Sequence, residues 1–167
     1  MKMEEIYKRR SVRKFLNKPI SDDDLDALLK AGMNAPSAHN LKPYEFVLVK
    51  DRNTLNALAD ACIYSKMLSE AAAAIVVVSK GDDEKTPYWQ ADCAAVTENI
   101  LLEAISMEIG SCWLGGYPDL EKTAKEKEIL AVPQDYQIFS VIALGYSALD
   151  LKPNDNYYPE KIHYEKY

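Results

Sequence analysis

The chain has 167 residues, 48% of them hydrophobic and 28% charged, which is enough to bury a core in one domain spanning residues 1–167. Twenty basic residues against twenty-six acidic ones leave a formal charge of −6, and this argues against general affinity for nucleic acid or an acidic membrane surface. The longest apolar run, Ala71 to Val78, is too short to span a bilayer, and the first residues, with Glu4 and Glu5, do not read as a signal peptide.

Residues 3–9 have the pattern of a short helix with Ile6 and Tyr7 facing inward. Pro19 closes the segment that follows. Ser21 then opens a second helix as its N-cap, with Asp24 three residues on, Asp22 and Asp23 at the positive end, and Ile20 able to staple onto Leu25. Leu25, Leu28 and Leu29 form its buried stripe, and Gly32 marks the approach to its end. Residues 34–43 carry two prolines and many hydrogen-bonding groups, so they read as a loop. Glu45 to Lys50 reads as a strand, central because so little of it is polar. Asp51 to Cys62 reads as a helix and Ala71 to Ser79 as a second strand, followed by an exposed acidic link over residues 81–85.

Trp89 to Ile109 is the longest predicted helix. Apolar residues at 89, 93, 96, 100, 104 and 107 make one stripe, widened by Ala91, Ala95, Leu102 and Ile105. Such girth implies burial on more than one side, against the core centre or a second subunit. Gly110 ends it, and Gly115-Gly116 reads as a turn after a short apolar piece. Leu120 to Leu130 is a charged helix stopped before Pro133, and Gln137 to Tyr146 is a third strand. The tail from Leu151 is too rich in tyrosine for simple disorder. Tyr157, Tyr158, Tyr164 and Tyr167 suit contacts with a partner subunit.

Several chemistries lack their motifs. There is no G-x-G-x-x-G, Walker A sequence, H-E-x-x-H or G-x-S-x-G, and two histidines are too few for a histidine-based metal site. Cys62, Cys93 and Cys112 have no C-x-x-C spacing and read as packed, reduced thiols in a cytoplasmic protein. What stands out is Lys8-Arg9-Arg10-Ser11-Val12-Arg13-Lys14. Three of the chain's four arginines fall here, in an otherwise acidic protein. Guanidinium groups grip phosphate through paired, planar hydrogen bonds and a serine hydroxyl adds a neutral donor, so the stretch can hold a phosphorylated small molecule. Two plainer readings compete. It can be a solvated charge run at a helix end, with Glu5 pairing Arg9, or a docking site for an acidic partner.

Four pieces line up in order: Arg9-Arg10-Ser11-Val12-Arg13; Ala35-Pro36-Ser37-Ala38-His39-Asn40; Gly110-Ser111-Cys112-Trp113-Leu114-Gly115-Gly116; and the basic tail near Lys152. With Asn99 in the long helix and the closing Ile162-His163-Tyr164, they resemble the nitroreductase family of FMN-dependent oxidoreductases over essentially the whole chain. The resemblance implies an α+β fold, with a mainly antiparallel central sheet flanked by helices and a C-terminal arm exchanged in a homodimer. It implies FMN as cofactor, NADH or NADPH as hydride donor, and reduction of nitroaromatics, quinones or related electron-poor molecules by ping-pong turnover through flavin N5. It needs no metal and no catalytic side chain. By resemblance Arg9 binds the FMN phosphate, with Ser11 on the phosphate or ribityl side and Arg10 assisting or turned to solvent. Arg13 reaches the pyrimidine edge of the ring, with Lys42 in support. Pro36, Ser37, Ala38 and Asn40 close the pocket from the second subunit. Leu114, Gly115 and Gly116 lie by the ring, the glycines bringing N–H groups near N5, and Lys152 serves the phosphate. Two departures alter this picture. Lys42-Pro43-Tyr44 stands where the family has glutamine before proline and tryptophan, and Asn154-Asp155-Asn156 stands where compact members often carry an arginine. They motivate an alternative, a flavin-binding or redox-responsive protein without reductase turnover.

Overall fold

The computed structural model describes residues 3–81 and 84–167. Five α-helices, α1 (Glu4–Lys8), α2 (Asp22–Met33), α3 (Arg52–Ala61), α4 (Trp89–Ser106) and α5 (Leu120–Leu130), surround a sheet of β1 (Glu45–Val49), β2 (Ala73–Ser79), β3 (Gly110–Gly115) and β4 (Gln137–Gly145). The strand order is β1-β2-β4-β3 and every neighbouring pair is antiparallel, so the fold is α+β.

All seven residues of β2 are buried, because both faces of the sheet are covered. Ala74, Val76 and Val78 face a core shared with Leu55 and Leu58 of α3. Ala73, Ile75 and Val77 face one shared with Leu25 and Leu28 of α2 and with Trp89, Cys93, Val96, Ile100 and Ala104 of α4. A strand buried on both faces reads as a continuous apolar run rather than an alternation, and the alanine- and valine-rich β2 is such a run. Among the described residues, no helix is long and apolar enough to cross a membrane.

Local signals placed most helices well. The Ser21 Oγ accepts from Asp24 N at 3.1 Å, and Asp51 and Asp119 cap α3 and α5 in the same way. Other expectations are corrected. β1 lies at an edge of the sheet, paired with β2; Val47 and Val49 pack on one covered face and Phe46 on the other, while Leu48 is exposed. The short apolar piece after Gly110 is a strand in its own right, β3, so the predicted third strand is the fourth. Ile6 and Tyr7 are exposed, because α1 contacts α4 without burying either. Asn99 donates to the Ala31 carbonyl at 3.1 Å and ties α4 to α2. Ala91 is exposed and Ala95, Leu102 and Ile105 are half-buried, so the wide apolar girth of α4 is only partly covered within the chain. Of the acidic link, residues 82 and 83 lie outside the described residues, while Glu84 and Lys85 are exposed.

The segment carrying the arginines is anchored by two apolar side chains, Val12 and Phe15, that are 5% and 7% exposed. Val12 N donates to Ser111 O at 2.8 Å, Leu16 N to Tyr146 O at 2.8 Å, and Ala148 N to Lys14 O at 3.0 Å. Two glycines make the approach possible. A Cβ on Gly110 would sit 2.8 Å from Val12 Cγ2, and one on Gly145 would sit 2.7 Å from Phe15 Cδ1. Replacing Gly145 by alanine therefore forces the Phe15 ring out of place. Urea unfolding of Gly145→Ala should show a loss of about 1–3 kcal/mol, the usual cost of overpacking; an unchanged midpoint would mean the ring is not held there.

Candidate functional site

The anchored segment presents its polar side chains on the side opposite Val12. Ser11 and Arg13 are exposed, and Arg9 and Arg10 are half-buried. Arg9 is the C-cap of α1, so the basic run begins at a helix end as the plainer reading held. The expected Glu5–Arg9 pair does not form at the side chains, however. Lys8 pairs with Glu4 at 2.6 Å, and Arg9 Nε lies 3.5 Å from Glu98 Oε1 of α4. Arg10 Nη1 donates to the Lys152 carbonyl, and Asn154 N donates to Tyr7 O at 2.8 Å. The base of the tail is thereby tied to the knot. Lys152 meets it through its backbone, while its side chain is exposed.

Two cavities flank the segment. Arg9, Arg10, Val12, Gly110 and Ser111 line one of about 620 Å³, closed on its far side by the last turn of α4 and residues 147–151. Arg13, Lys66, Cys112, Leu114, Gly115 and Lys122 line the other, of about 470 Å³. The arginines thus stand at both, with Ser11 between them.

At the second cavity Gly115 is exposed, and a Cβ there would meet nothing within 4 Å. Gly116 is different. It is buried, its N–H donates to Phe139 O at 2.8 Å, and an added Cβ would collide with the Ile138 carbonyl. The expectation that both glycines offer N–H groups to a ligand is therefore corrected for Gly116, whose amide is committed to β4. Leu114 is 7% exposed and belongs to the core as well as the cavity wall.

The loop over residues 36–42 is not at either cavity within one chain. It packs beside α4, where Ala38 N donates to Asp92 Oδ1 at 2.9 Å and Lys42 N to Ser37 Oγ at 3.0 Å. His39, Asn40 and Lys42 have φ of 52°, 55° and 50°, left-handed values that cost non-glycine residues free energy and recur at binding sites. His39 is exposed. Lys42 lines a separate hollow with Tyr44 and Glu45, and none of Pro36, Ser37, Ala38, Asn40 and Lys42 lines either arginine cavity.

Cys112, Cys93 and Trp113 are packed against their neighbours. Cys112 is 1% exposed; burial pushes its thiol up, opposed by the nearby Arg13, Ser11 and Arg9. Burial and the neighbouring Asp92 push the Cys93 thiol up to about 12. Trp113 is half-buried and packs on Phe139, with ring centroids 5.8 Å apart. Among the described residues no group of His, Cys, Asp and Glu could hold a metal ion. Sequence reasoning did not single out Lys66 or Lys122, which both line the Arg13 cavity; each reads in the sequence as one of many exposed lysines.

Residues 6–74 and 62–146 match the profile of the Nitroreductase family. The chain belongs to the nitroreductase family. A provisionally named NADH dehydrogenase/NAD(P)H nitroreductase of Archaeoglobus fulgidus is 43% identical over 167 residues, covering 97% of this chain and 96% of that protein. The crystal structure of a Bacteroides thetaiotaomicron protein with the same provisional name is 39% identical. It superposes with a TM-score of 0.94 and covers 99% of this chain and 97% of its own. An FMN-dependent nitroreductase of Clostridium difficile, 28% identical, superposes with a TM-score of 0.92, covering 99% of this chain and all of its own.

Thiol reactivity tests the burial of this region. With an aromatic disulfide reagent at pH 8, the native nitroreductase-family chain should release one equivalent quickly, from half-buried Cys62, and three only after unfolding. At that pH the Cys93 thiol is almost wholly protonated and the raised Cys112 thiol is largely so. Three fast equivalents in the native state would contradict the packing of β3 and α4.

Proposed function

We propose that this chain is a single flavin-binding domain, residues 1–167, that acts as a cytoplasmic homodimeric oxidoreductase, using FMN to pass reducing equivalents from NADH or NADPH to electron-poor small molecules such as nitroaromatics or quinones. The observation that carries this is the placement of the guanidinium groups along a segment pinned to the sheet, with Arg9 and Arg10 at one cavity and Arg13 at the next, in a chain of this family. A phosphorylated, elongated ligand fits that arrangement. Arg9, Arg10 and the Ser11 hydroxyl would hold its phosphate end, and Arg13 and the open space at Gly115 would receive its ring end.

When bound, FMN supplies the ring that takes a hydride at N5 and gives it up again. The chain's own residues do the rest. Arg9 and Ser11 anchor the phosphate through charge-assisted and neutral hydrogen bonds. Arg13 places a fixed positive charge where negative charge collects on reduction, which favours the reduced state. Leu114 would wall off water, and the open space at Gly115 would let donor and acceptor reach the bound group in turn, as a ping-pong cycle requires. Met3, Ile6, Tyr7, Tyr157, Tyr158, Ile162 and Tyr164 are exposed apolar or aromatic residues on α1 and the tail. They suit burial against a second copy, with the arm exchanged and the 36–42 loop, Lys42 included, closing the neighbour's site.

Titration of the purified protein with FMN should give a saturable shift in flavin absorbance, and anaerobic NADH or NADPH should then bleach it. No uptake would overturn the proposal, and uptake without bleaching would leave a flavin-binding protein that lacks turnover. Arg9→Ala should weaken FMN binding about 10- to 100-fold, the scale of a lost hydrogen bond to a charged group; equal affinity would remove Arg9 from the phosphate. Arg13→Ala should lower the bound flavin's reduction potential, and a potential equal to that of the unaltered protein would remove Arg13 from the ring.

A further inference from the structure

Helix α5 reads as a solvated charged helix, yet Lys122, Thr123, Glu126 and Lys127 are all buried. Glu126 is 0% exposed, and neither of its carboxylate oxygens has a hydrogen-bond partner. Its ion-pair partner is Lys122 one turn away, with Nζ 3.4 Å from Oε1, in charge contact but outside hydrogen-bonding geometry. Lys122 is 8% exposed and spends a hydrogen bond on the Gly115 carbonyl. It also lines the Arg13 cavity, as does the helix's N-cap, Asp119.

Such an arrangement is unusual. An exposed i,i+4 pair contributes little to stability and needs no explanation. A buried carboxylate stripped of hydrogen bonds costs free energy that one ion-pair contact does not return in full. The pair sits directly behind the strand end where the cavity opens, and its cation is the member that reaches the cavity.

Resting on the flavin function proposed above, we propose that Lys122 and Glu126 are a built-in charge pair for that site. Lys122 holds the Gly115 rim and gives the cavity a positive potential, and Glu126 sets how much of that charge the cavity feels. Both are positioning residues. A positive potential there favours the negative charge that the ring gains on reduction. Arg13, from the anchored segment, and Lys66 are the other cations lining the cavity. Burial pushes the Glu126 carboxyl up, Lys122 pulls it back down and Asp119 adds to the rise, so its charge depends on the lysine staying where it is.

The test is the reduction potential of bound FMN at pH 8, measured by equilibration with a reference dye in Lys122→Met and Glu126→Gln. Lys122→Met removes the cation and should favour the oxidised form by about tenfold, a fall of about 30 mV for a two-electron couple. Glu126→Gln leaves the lysine unopposed and should shift the potential upward. A role in packing alone would not move the two in opposite directions, so unchanged potentials, or shifts of the same sign, overturn the proposal. If Lys122→Met does not fold, because it strands a buried carboxylate, Glu126→Gln decides alone: a raised potential supports the pair's role, and an equal or lower one overturns it. Unaltered protein that takes up no FMN overturns the flavin function itself, and with it this inference. Unaltered protein that binds FMN beside variants of equal potential overturns only the pair.

Discussion

The site depends on one steric fit, the seating of Val12 and Phe15 against Gly110 and Gly145. Without Cβ atoms on those two glycines, an extended segment can lie across the ends of β3 and β4 close enough for backbone hydrogen bonds from Val12, Leu16 and Ala148. Burying Val12 and Phe15 inward dictates that Ser11 and Arg13 face outward. Three guanidinium groups in an acidic chain are thereby held on rigid scaffold instead of a loose terminus, and a preorganised charge is what recognition of a phosphate or a developing anion needs.

The same segment gathers distant parts of the chain. Arg9 reaches Glu98 on α4, Arg10 reaches the backbone at Lys152, and Tyr7 receives the amide of Asn154. The first residues, the longest helix and the base of the tail are therefore one structural unit around the arginines. Beyond it, the tail leaves Tyr157, Tyr158, Ile162 and Tyr164 in solvent. Opposite, β3 delivers Leu114 and Gly115 to the Arg13 cavity, and α5 follows at once, so that its first turn forms the cavity's back wall. Fold and candidate site share the same few residues.

Much of this was legible in the sequence. The cap at Ser21, the bounds of α5 and the strand at β2 follow from side-chain chemistry and hydrophobic pattern alone. β3 was missed as a strand because its six residues begin and end in glycine and alternate little; its partner β4 makes it a strand. β1 looked central because an edge strand between two covered faces is as apolar as an interior one. Gly116 looked like Gly115 in the sequence, but only tertiary pairing reveals that one amide is spent on Phe139 and the other residue faces open space. Lys122 and Glu126 have the spacing of an ordinary surface pair, and nothing local distinguishes them from Glu121 and Lys125, which are exposed. Their burial is decided by how α5 docks after the turn at Tyr117.

The central claim is that an FMN molecule sits against the anchored arginines where two copies of the chain meet. Native mass spectrometry of the protein incubated with excess FMN and then desalted measures both halves of that claim at once. The account predicts a dimer of the 18.8 kDa chain carrying two FMN molecules. A monomer, or a dimer that emerges with no flavin bound, would contradict it.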